Sequence, residues 1–523
     1  MSETQGFEAK GIEVDDIDQL NKDTNWWGAF VIGLAGTILV LGLVGYAIVA
    51  MGPFSIPMFA VLTGAGVFLC FCLAELAAAM PDKAGGLPSY AFETFKPLGK
   101  TAVTHLGGIS SWAYWLGWFT VAPIFVLLAA DYLVSLLKIG PGTVFDPFGA
   151  TLGGPTNTTR FFTALIMLLA MFIPCYLGIR LGARFATILG IACLVPLIFL
   201  IVVPFFKPSS IDFGVLSGFH FKPTGIYKGA ALTLPFVLGW AFIFTWSVLA
   251  MEAAACYIGE CREPVKDAKI AMTAEGLFGF FVYVALPIML LAVLGTVGLQ
   301  ALFDASKGAF IGDANAVFLA YTAKLFGNSE IWRWVVGIML IIALLLTVLN
   351  AIMGCSRGLY QNAHDGLLPR FFGKTNRHGV PSTAMFFSLV CSIFVLFIGS
   401  PLEIYVFSNM GYLLAMGLSL VGYFVYRSKG ADPDRPLKMP NWMTPVALFI
   451  GAAFLLLWLI GGYFAPDYAV GPNKRALYWL GLILVALWFP LYAWRKAEDK
   501  KAGTTFYNRL AAAAAKDPAV VKS

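Results

Sequence analysis

Charged side chains are what this chain has least of. Lys, Arg, Asp and Glu make up 12% of its 523 residues, whereas a soluble domain carries roughly 25%. From Thr24 to Ala74 there is none at all. That scarcity excludes a water-exposed domain over most of the length. Histidine is rare too, four in all, and the eight cysteines (Cys70, Cys72, Cys193 and Cys355 among them) have no zinc-like spacing. No metal site is expected, and the cysteines read as small packing residues of a reducing-side protein. Nucleophile, metal and cofactor constellations are missing, so neither enzymatic activity nor a cofactor is expected. A channel is disfavoured because no filter motif or ring-forming acidic repeat occurs. The first 23 residues also lack the basic start and short apolar core of a cleavable signal peptide. They carry Glu13, Asp15, Asp16, Asp18 and Asp23 instead, which leaves insertion to the first apolar span.

What fills the chain is apolar. Hydrophobic residues are 59% and the mean hydropathy is +0.80. About 20 apolar residues cross a bilayer as a helix, so the uncharged stretch from Thr24 to Ala74 holds two helices, broken near Gly52-Pro53. Further uncharged runs cover 185–206, 276–303, 334–356, 404–426 and 476–494. Together they predict an all-α membrane protein of twelve spans, centred near residues 39, 67, 120, 170, 195, 245, 286, 345, 391, 414, 454 and 485. The net charge of +6 is no nucleic-acid signal, because the basic residues sit in short loops and at span ends. With the N-terminus inside, sixteen Lys and Arg fall in inner loops and ten in outer ones. That bias places both termini in the cytoplasm of a multi-pass plasma-membrane protein. The expected organisation is a cytoplasmic tail over 1–23, spans 1–5 over 24–206, spans 6–10 over 229–426, spans 11–12 over 441–494 and a cytoplasmic tail over 495–523.

Span 1 carries Gly33-Leu34-Ala35-Gly36-Thr37, then Gly42 and Gly45; span 6 carries Gly239-Trp240 and then Trp246-Ser247-Val248-Leu249-Ala250-Met251-Glu252. These spans stand five apart, the offset expected of a five-plus-five inverted repeat. Glycine-interrupted spans at matching places in two halves point to a transporter's central site, where unwound backbone binds a substrate's charged ends. The plainer reading is that the glycines only let helices pack closely. Glu252 is a carboxylate inside an otherwise uncharged run, and an ionisable group there normally faces a cavity or a partner.

Five motifs in order resemble the amino acid–polyamine–organocation permeases. They are Ala74-Glu75-Leu76-Ala77; Pro81 to Tyr90 with Gly85-Gly86; Tyr114-Trp115-Leu116 with Trp118; the span-6 stretch through Gly259-Glu260; and the run after span 8. That last run reads Ser356-Arg357-Gly358-Leu359-Tyr360, Asp365-Gly366-Leu367-Leu368-Pro369 and Arg377-His378-Gly379-Val380-Pro381. The similarity covers about residues 28–427. It implies a LeuT-like core with broken helices 1 and 6, and a secondary active transporter of amino acids working by alternating access. Proton-coupled symport and exchange both fit, with polyamines or other organocations as the alternative cargo and a non-transporting nutrient receptor as a more distant one. The implied partners are a small-molecule substrate and the lipid bilayer, with a homodimer possible in such carriers.

The resemblance also assigns residues. Trp246, six residues before Glu252, is similar to the span-6 tryptophan of arginine–agmatine antiporters, which stacks on substrate and blocks its exit. An indole offers a rigid face and a cation–π surface; the alternative is a core aromatic. Ala35, Gly36, Thr37, Ser247, Ala250 and Tyr114 complete the expected substrate site. Ala250-Met251 replaces the commoner Gly-Phe, so the unwinding of span 6 is expected to be shorter or shifted toward Ser247. Glu252 reads either as a proton-coupling carboxyl or as the anchor of a packing network with Tyr114. Arg357 and Asp365 are inner-gate candidates. Cys193 stands where many proton-dependent members carry lysine, which leaves exchange, proton coupling through Glu252, or sodium near Thr347. Asp131 reads as an interfacial helix end or an outer attractor of cations.

Overall fold

A computed structural model describes residues 24–503 apart from 82, 84, 85, 178, 219–231, 305–308 and 311–314. Both expected tails, 1–23 and all but the first residues of 495–523, lie outside the described residues. In hydrocarbon every backbone N–H and C=O must be satisfied within its own segment, which for chains this apolar means helices. The helices used below are α1 (Trp26–Ile38), α2 (Val40–Met51), α3 (Ser55–Ala79), α4 (Leu87–Thr94), α5 (Gly108–Phe119), α6 (Val121–Leu137), α7 (Thr158–Tyr176) and α8 (Ile179–Val202). After them come α9 (Leu234–Val248), a 3-10 segment (Ala250–Glu260), α10 (Pro264–Gln300), α11 (Asn315–Phe326), α12 (Glu330–His364) and α13 (Ser382–Leu396). The chain closes with α14 (Pro401–Val425), α15 (Met443–Ala465), α16 (Ala476–Ala486) and α17 (Trp488–Lys501). Two short antiparallel pairs, Val144–Phe145 with Thr156–Asn157 and Phe303–Asp304 with Ala309–Phe310, are the strands among the described residues.

Nine apolar helical segments among the described residues are long enough to cross a membrane, the first running 54 residues from Trp26 to Ala79. Its interior turn lies where the sequence predicts it: Gly52 adopts φ 57°, a backbone region glycine alone enters at no cost, and Pro53 follows. Large apolar side chains such as Val61, Ile166, Ile188 and Phe449 stand mostly exposed. In water such a surface would be a liability; against acyl chains it is the expected solvent-facing side.

Two interruptions position the centre. Span 1 breaks at Leu39, between α1 and α2. Span 6 changes at Leu249 from α-helix to 3-10 helix, which then persists for eleven residues. Runs of 3-10 helix beyond three or four residues are uncommon and mark strain or a hinge. α1 and this segment lie side by side in opposite senses. Thr24 bridges to Cys261, Gly33 faces Ala254, and a Cβ built on Gly36 would stand 1.9 Å from the carbonyl oxygen of Ala250. Only glycine lets the two backbones meet at that distance.

Candidate functional site

Built upward from these breaks, the first cluster surrounds Glu252, which is fully buried in the 3-10 segment. Its Oε1 accepts from Trp118 Nε1 at 3.0 Å and from the Tyr412 hydroxyl at 3.1 Å; its Oε2 accepts from the Tyr114 hydroxyl, also at 3.1 Å. Tyr114 additionally lies 3.4 Å from Cys256 Sγ. One carboxyl thus ties the 3-10 segment to α5 and α14 with three donors. The partnership with Tyr114 is the one the sequence offered as an alternative to proton coupling. Trp118 lies in the span-3 motif, which assigns it no role. Tyr412 had no signal at all, being one tyrosine in an uncharged span.

The second cluster surrounds Trp246. The indole is buried, donates from Nε1 to Ser408 Oγ at 2.6 Å, and packs on Tyr405 with ring centroids 4.4 Å apart and on Phe125 at 6.4 Å. The Tyr405 hydroxyl in turn donates to Gly42 O at 2.8 Å. Trp246 therefore sits among aromatic rings from α6 and α14, on the α2 side of the span-1 break.

The third cluster joins the two breaks. The Tyr283 hydroxyl of α10 lies 3.0 Å from Gly36 O, 2.7 Å from Ser247 O and 2.8 Å from Ser247 Oγ. A phenol has a single proton to donate, so it serves the two carbonyls by sharing. Thr37 donates from Oγ1 to Glu275 Oε1 at 2.8 Å. Neither Tyr283 nor Glu275 was singled out in the sequence, because Glu275 stands at the edge of the uncharged run from 276 to 303 and reads as a loop charge. It lies eleven residues inside α10 and is fully buried.

Several expectations are corrected. Ala35, Gly36 and Thr37 are not unwound; all three lie inside α1, and the break falls later, at Leu39. Alanine and threonine there keep the helical conformation, and glycine is spent on the contact with Ala250. The change in span 6 is neither shorter nor shifted toward Ser247, which remains helical in α9; it begins at Leu249 and is long. Ala250 contributes its carbonyl to the meeting of the breaks rather than a side chain. Arg357 and Asp365 do not pair. Asp365 caps α12 eight residues beyond Arg357, about 12 Å along the helix axis; the Asp365 carboxyl accepts from Gln361 Nε2 at 3.0 Å, while the Arg357 guanidinium lies over the Tyr257 ring. Thr347 donates to Ala343 O at 3.3 Å, the ordinary back-bonding of a helical threonine. Asp131 pairs with Arg160 at 2.7 Å, tying α6 to α7.

Two further polar clusters tie the ends of spans together. Buried Glu75 accepts from Tyr423 Oη at 2.6 Å, Arg435 Nε at 2.6 Å, Arg427 Nη1 at 3.2 Å and the backbone N–H of Met439 at 3.2 Å. α17 clamps the loop after α12: Arg495 donates to the carbonyls of Ala363 and Leu368, and Asp499 accepts from Arg495 and Arg370. Asp365, just beyond α12 in that loop, has its carboxyl pushed up to about 6, first by burial, against the opposing pull of Lys83. Among the described residues no cluster of three or more His, Cys, Asp or Glu could hold a metal.

The family described as amino acid permease matches residues 25–488. A glutamate/gamma-aminobutyrate antiporter of Lactococcus lactis is 25% identical over 46% of this chain and 48% of its own length, so the match spans about half of that protein. A putative arginine/ornithine antiporter of Bacillus subtilis is 26% identical over 71% of this chain and 76% of its own. A polyamine transporter of Oryza sativa is 24% identical over 70% of this chain and 60% of its own.

Proposed function

Given that this chain belongs to the amino acid permease family, we propose that it carries amino acids across the cytoplasmic membrane by alternating access, as an exchanger or a proton-coupled symporter. The observation that carries the reading is the meeting of the two helix breaks, where Gly36 touches the Ala250 carbonyl and the Tyr283 hydroxyl donates to the carbonyls of Gly36 and Ser247. A carrier needs such a joint at its midplane, since rocking one bundle against the other must open backbone groups to substrate. In this closed arrangement the Tyr283 hydroxyl occupies the Gly36 and Ser247 carbonyls that a substrate's α-amino group would take.

Twelve crossings with a five-plus-five inverted repeat fit the helices described. The 54-residue stretch from Trp26 to Ala79 exceeds any single crossing, since a helix that long spans about 80 Å. The opposite senses of α1 and the 3-10 segment support the inversion. Trp246 closes one side, with Ser408 and Tyr405 fixing its rotamer. Glu252 closes the other by holding Tyr114, Trp118 and Tyr412 together. Both termini are assigned to the cytoplasm from the loop charges.

Amine-bearing cargo, a cationic amino acid or a polyamine, is the second reading. It is favoured by Glu252, a carboxyl ringed by aromatic side chains and forming no ion pair among the described residues. Carboxylates and π-faces both attract ammonium groups.

The test is counterflow in proteoliposomes loaded with each amino acid and polyamine in turn. Accumulation of label against a preloaded substrate is expected for at least one amino acid, and a receptor shows none. Replacing sodium by choline at constant pH gradient is expected to leave uptake intact. Collapse in choline, restored by sodium, refutes proton coupling.

A further inference from the structure

Four glutamates are fully or nearly fully buried among the described residues, and they are not held alike. Glu75 has two arginines, a tyrosine and a backbone N–H; Glu403 has Lys474; Glu252 has three donors. Glu275 has one donor, Thr37, on Oε1. Its Oε2 is buried with no hydrogen-bond partner among the described residues, and it forms no ion pair there. It lies about 9 Å along α10 beyond Lys269, in the apolar stretch. A buried carboxylate with no counter-charge and a single hydrogen bond is a costly arrangement. A neutral carboxylic acid in the same place keeps the Thr37 bond and has no charge to compensate.

The surroundings link this group to the moving parts. Glu275, Gly279 and Tyr283 stand four residues apart, on one face of α10. Thr37 meets the first; a Cβ at Gly279 would stand 2.1 Å from Met251 Sδ and 3.1 Å from Thr37 Oγ1; Gly36 and Ser247 meet Tyr283. One stripe of α10 therefore touches both breaks. The titratable groups that interact with Glu275 are Cys70 from α3 and Tyr283 from its own helix, and Cys70 also interacts with Glu252 of the 3-10 segment. α1 offers Thr37, whose hydroxyl donates to the carboxyl and whose backbone also interacts with it.

We propose that Glu275, with Thr37 as its donor, is a proton-binding site that couples proton movement to the rocking of span 1. With α1 docked on α10, Oε2 carries the proton. When α1 moves away, water reaches the carboxyl, the Oε2–H bond breaks, the proton passes to that water, and the carboxylate is left solvated. Reclosure requires a proton to return from the water on whichever side the site then faces. This role deepens the transport reading and rests on it; Glu252, with a donor on each oxygen, holds the closed gate and leaves proton carriage to Glu275.

The experiment uses full-length protein in proteoliposomes containing a pH-sensitive dye. Substrate entry through the parent is expected to acidify the lumen. Glu275→Gln, a permanent mimic of the neutral acid, is expected to keep counterflow within about twofold while acidification and gradient-driven accumulation disappear. Thr37→Val is expected to retain acidification with a displaced pH midpoint. Parental acidification by Glu275→Gln overturns the proposal, as does parental uptake that moves sodium and no protons. Should Glu275→Gln fail to fold, the parent is treated with dicyclohexylcarbodiimide, which modifies protonated carboxyls in apolar surroundings. A mass-resolved adduct on Glu275 that grows as pH falls supports the assignment; its absence at every pH overturns it. Absence of counterflow by the parent itself would instead defeat the transport reading, and the carbodiimide result would still judge Glu275.

Discussion

Substituting Gly36 by alanine tests the meeting of the two breaks most directly. The added Cβ would stand 1.9 Å from Ala250 O, 2.4 Å from its carbonyl carbon and 2.9 Å from Met251 N. These are backbone atoms, with no flexible side chain to turn aside. Reaching ordinary contact at about 3.4 Å requires α1 and the 3-10 segment to separate by about 1.5 Å. Overpacking a tight core costs about 1–3 kcal/mol, and separation also strips Tyr283 from Gly36 O, about 1 kcal/mol more. Alanine's better helix propensity returns about 1 kcal/mol. The net expectation is a loss of about 1–3 kcal/mol, with counterflow falling far more steeply because the joint no longer closes. Gly64→Ala in α3 is the control, since nothing lies within 4 Å of its Cβ; it should be neutral or stabilising by up to about 1 kcal/mol. Thermal unfolding in detergent and counterflow are measured on both variants. If Gly36→Ala melts and exchanges like the parent, the two breaks do not touch as described.

Trp246→Leu removes the Nε1 bond to Ser408 and the ring contacts with Tyr405 and Phe125, about 1–2 kcal/mol together; the fold should survive while apparent substrate affinity drops about tenfold, read as KM in proteoliposomes. Glu252→Gln keeps Trp118 and Tyr412 on its remaining oxygen and turns its amide toward the Tyr114 oxygen, so binding should persist. The dependence of transport rate on pH should flatten while substrate-linked acidification continues, and a parental pH profile would move gate control elsewhere. Asp365 carries a carboxyl raised from 3.8 to about 6 chiefly by burial, so the folded protein holds that proton more tightly than the unfolded chain does. Its contribution is therefore most favourable below about pH 4 and is lost as pH rises to about 6. Asp365→Asn should gain up to about 3 kcal/mol on the parent over that window, seen as a melting difference that grows from pH 4 to pH 6 and stays constant above it.

What the sequence determined by itself was everything that depends on local composition. An uncharged run of 20 residues has few stable options other than a helix across a bilayer, so the helices, the turn at Gly52-Pro53 and the change of structure within span 6 were legible. Ordered motifs made the family legible too, and they named Trp246, Glu252 and Tyr114. The tertiary structure decided what those residues face. No spacing rule says that Tyr412, 160 residues from Glu252, donates to it. Nor does one say that the span-1 glycine is spent on the Ala250 carbonyl instead of on unwinding. Arg357 and Asp365 looked like a pair because they share a motif, yet Asp365 caps the helix eight residues on, about 12 Å along its axis. Glu275 was hidden because charge at the edge of an apolar run reads as a loop; only the packing of α1 and α3 against α10 buries it. Helices follow from each segment's own need to satisfy its backbone. Which carboxyl lacks a partner is set by neighbours distant in the chain, and is settled only once the helices pack.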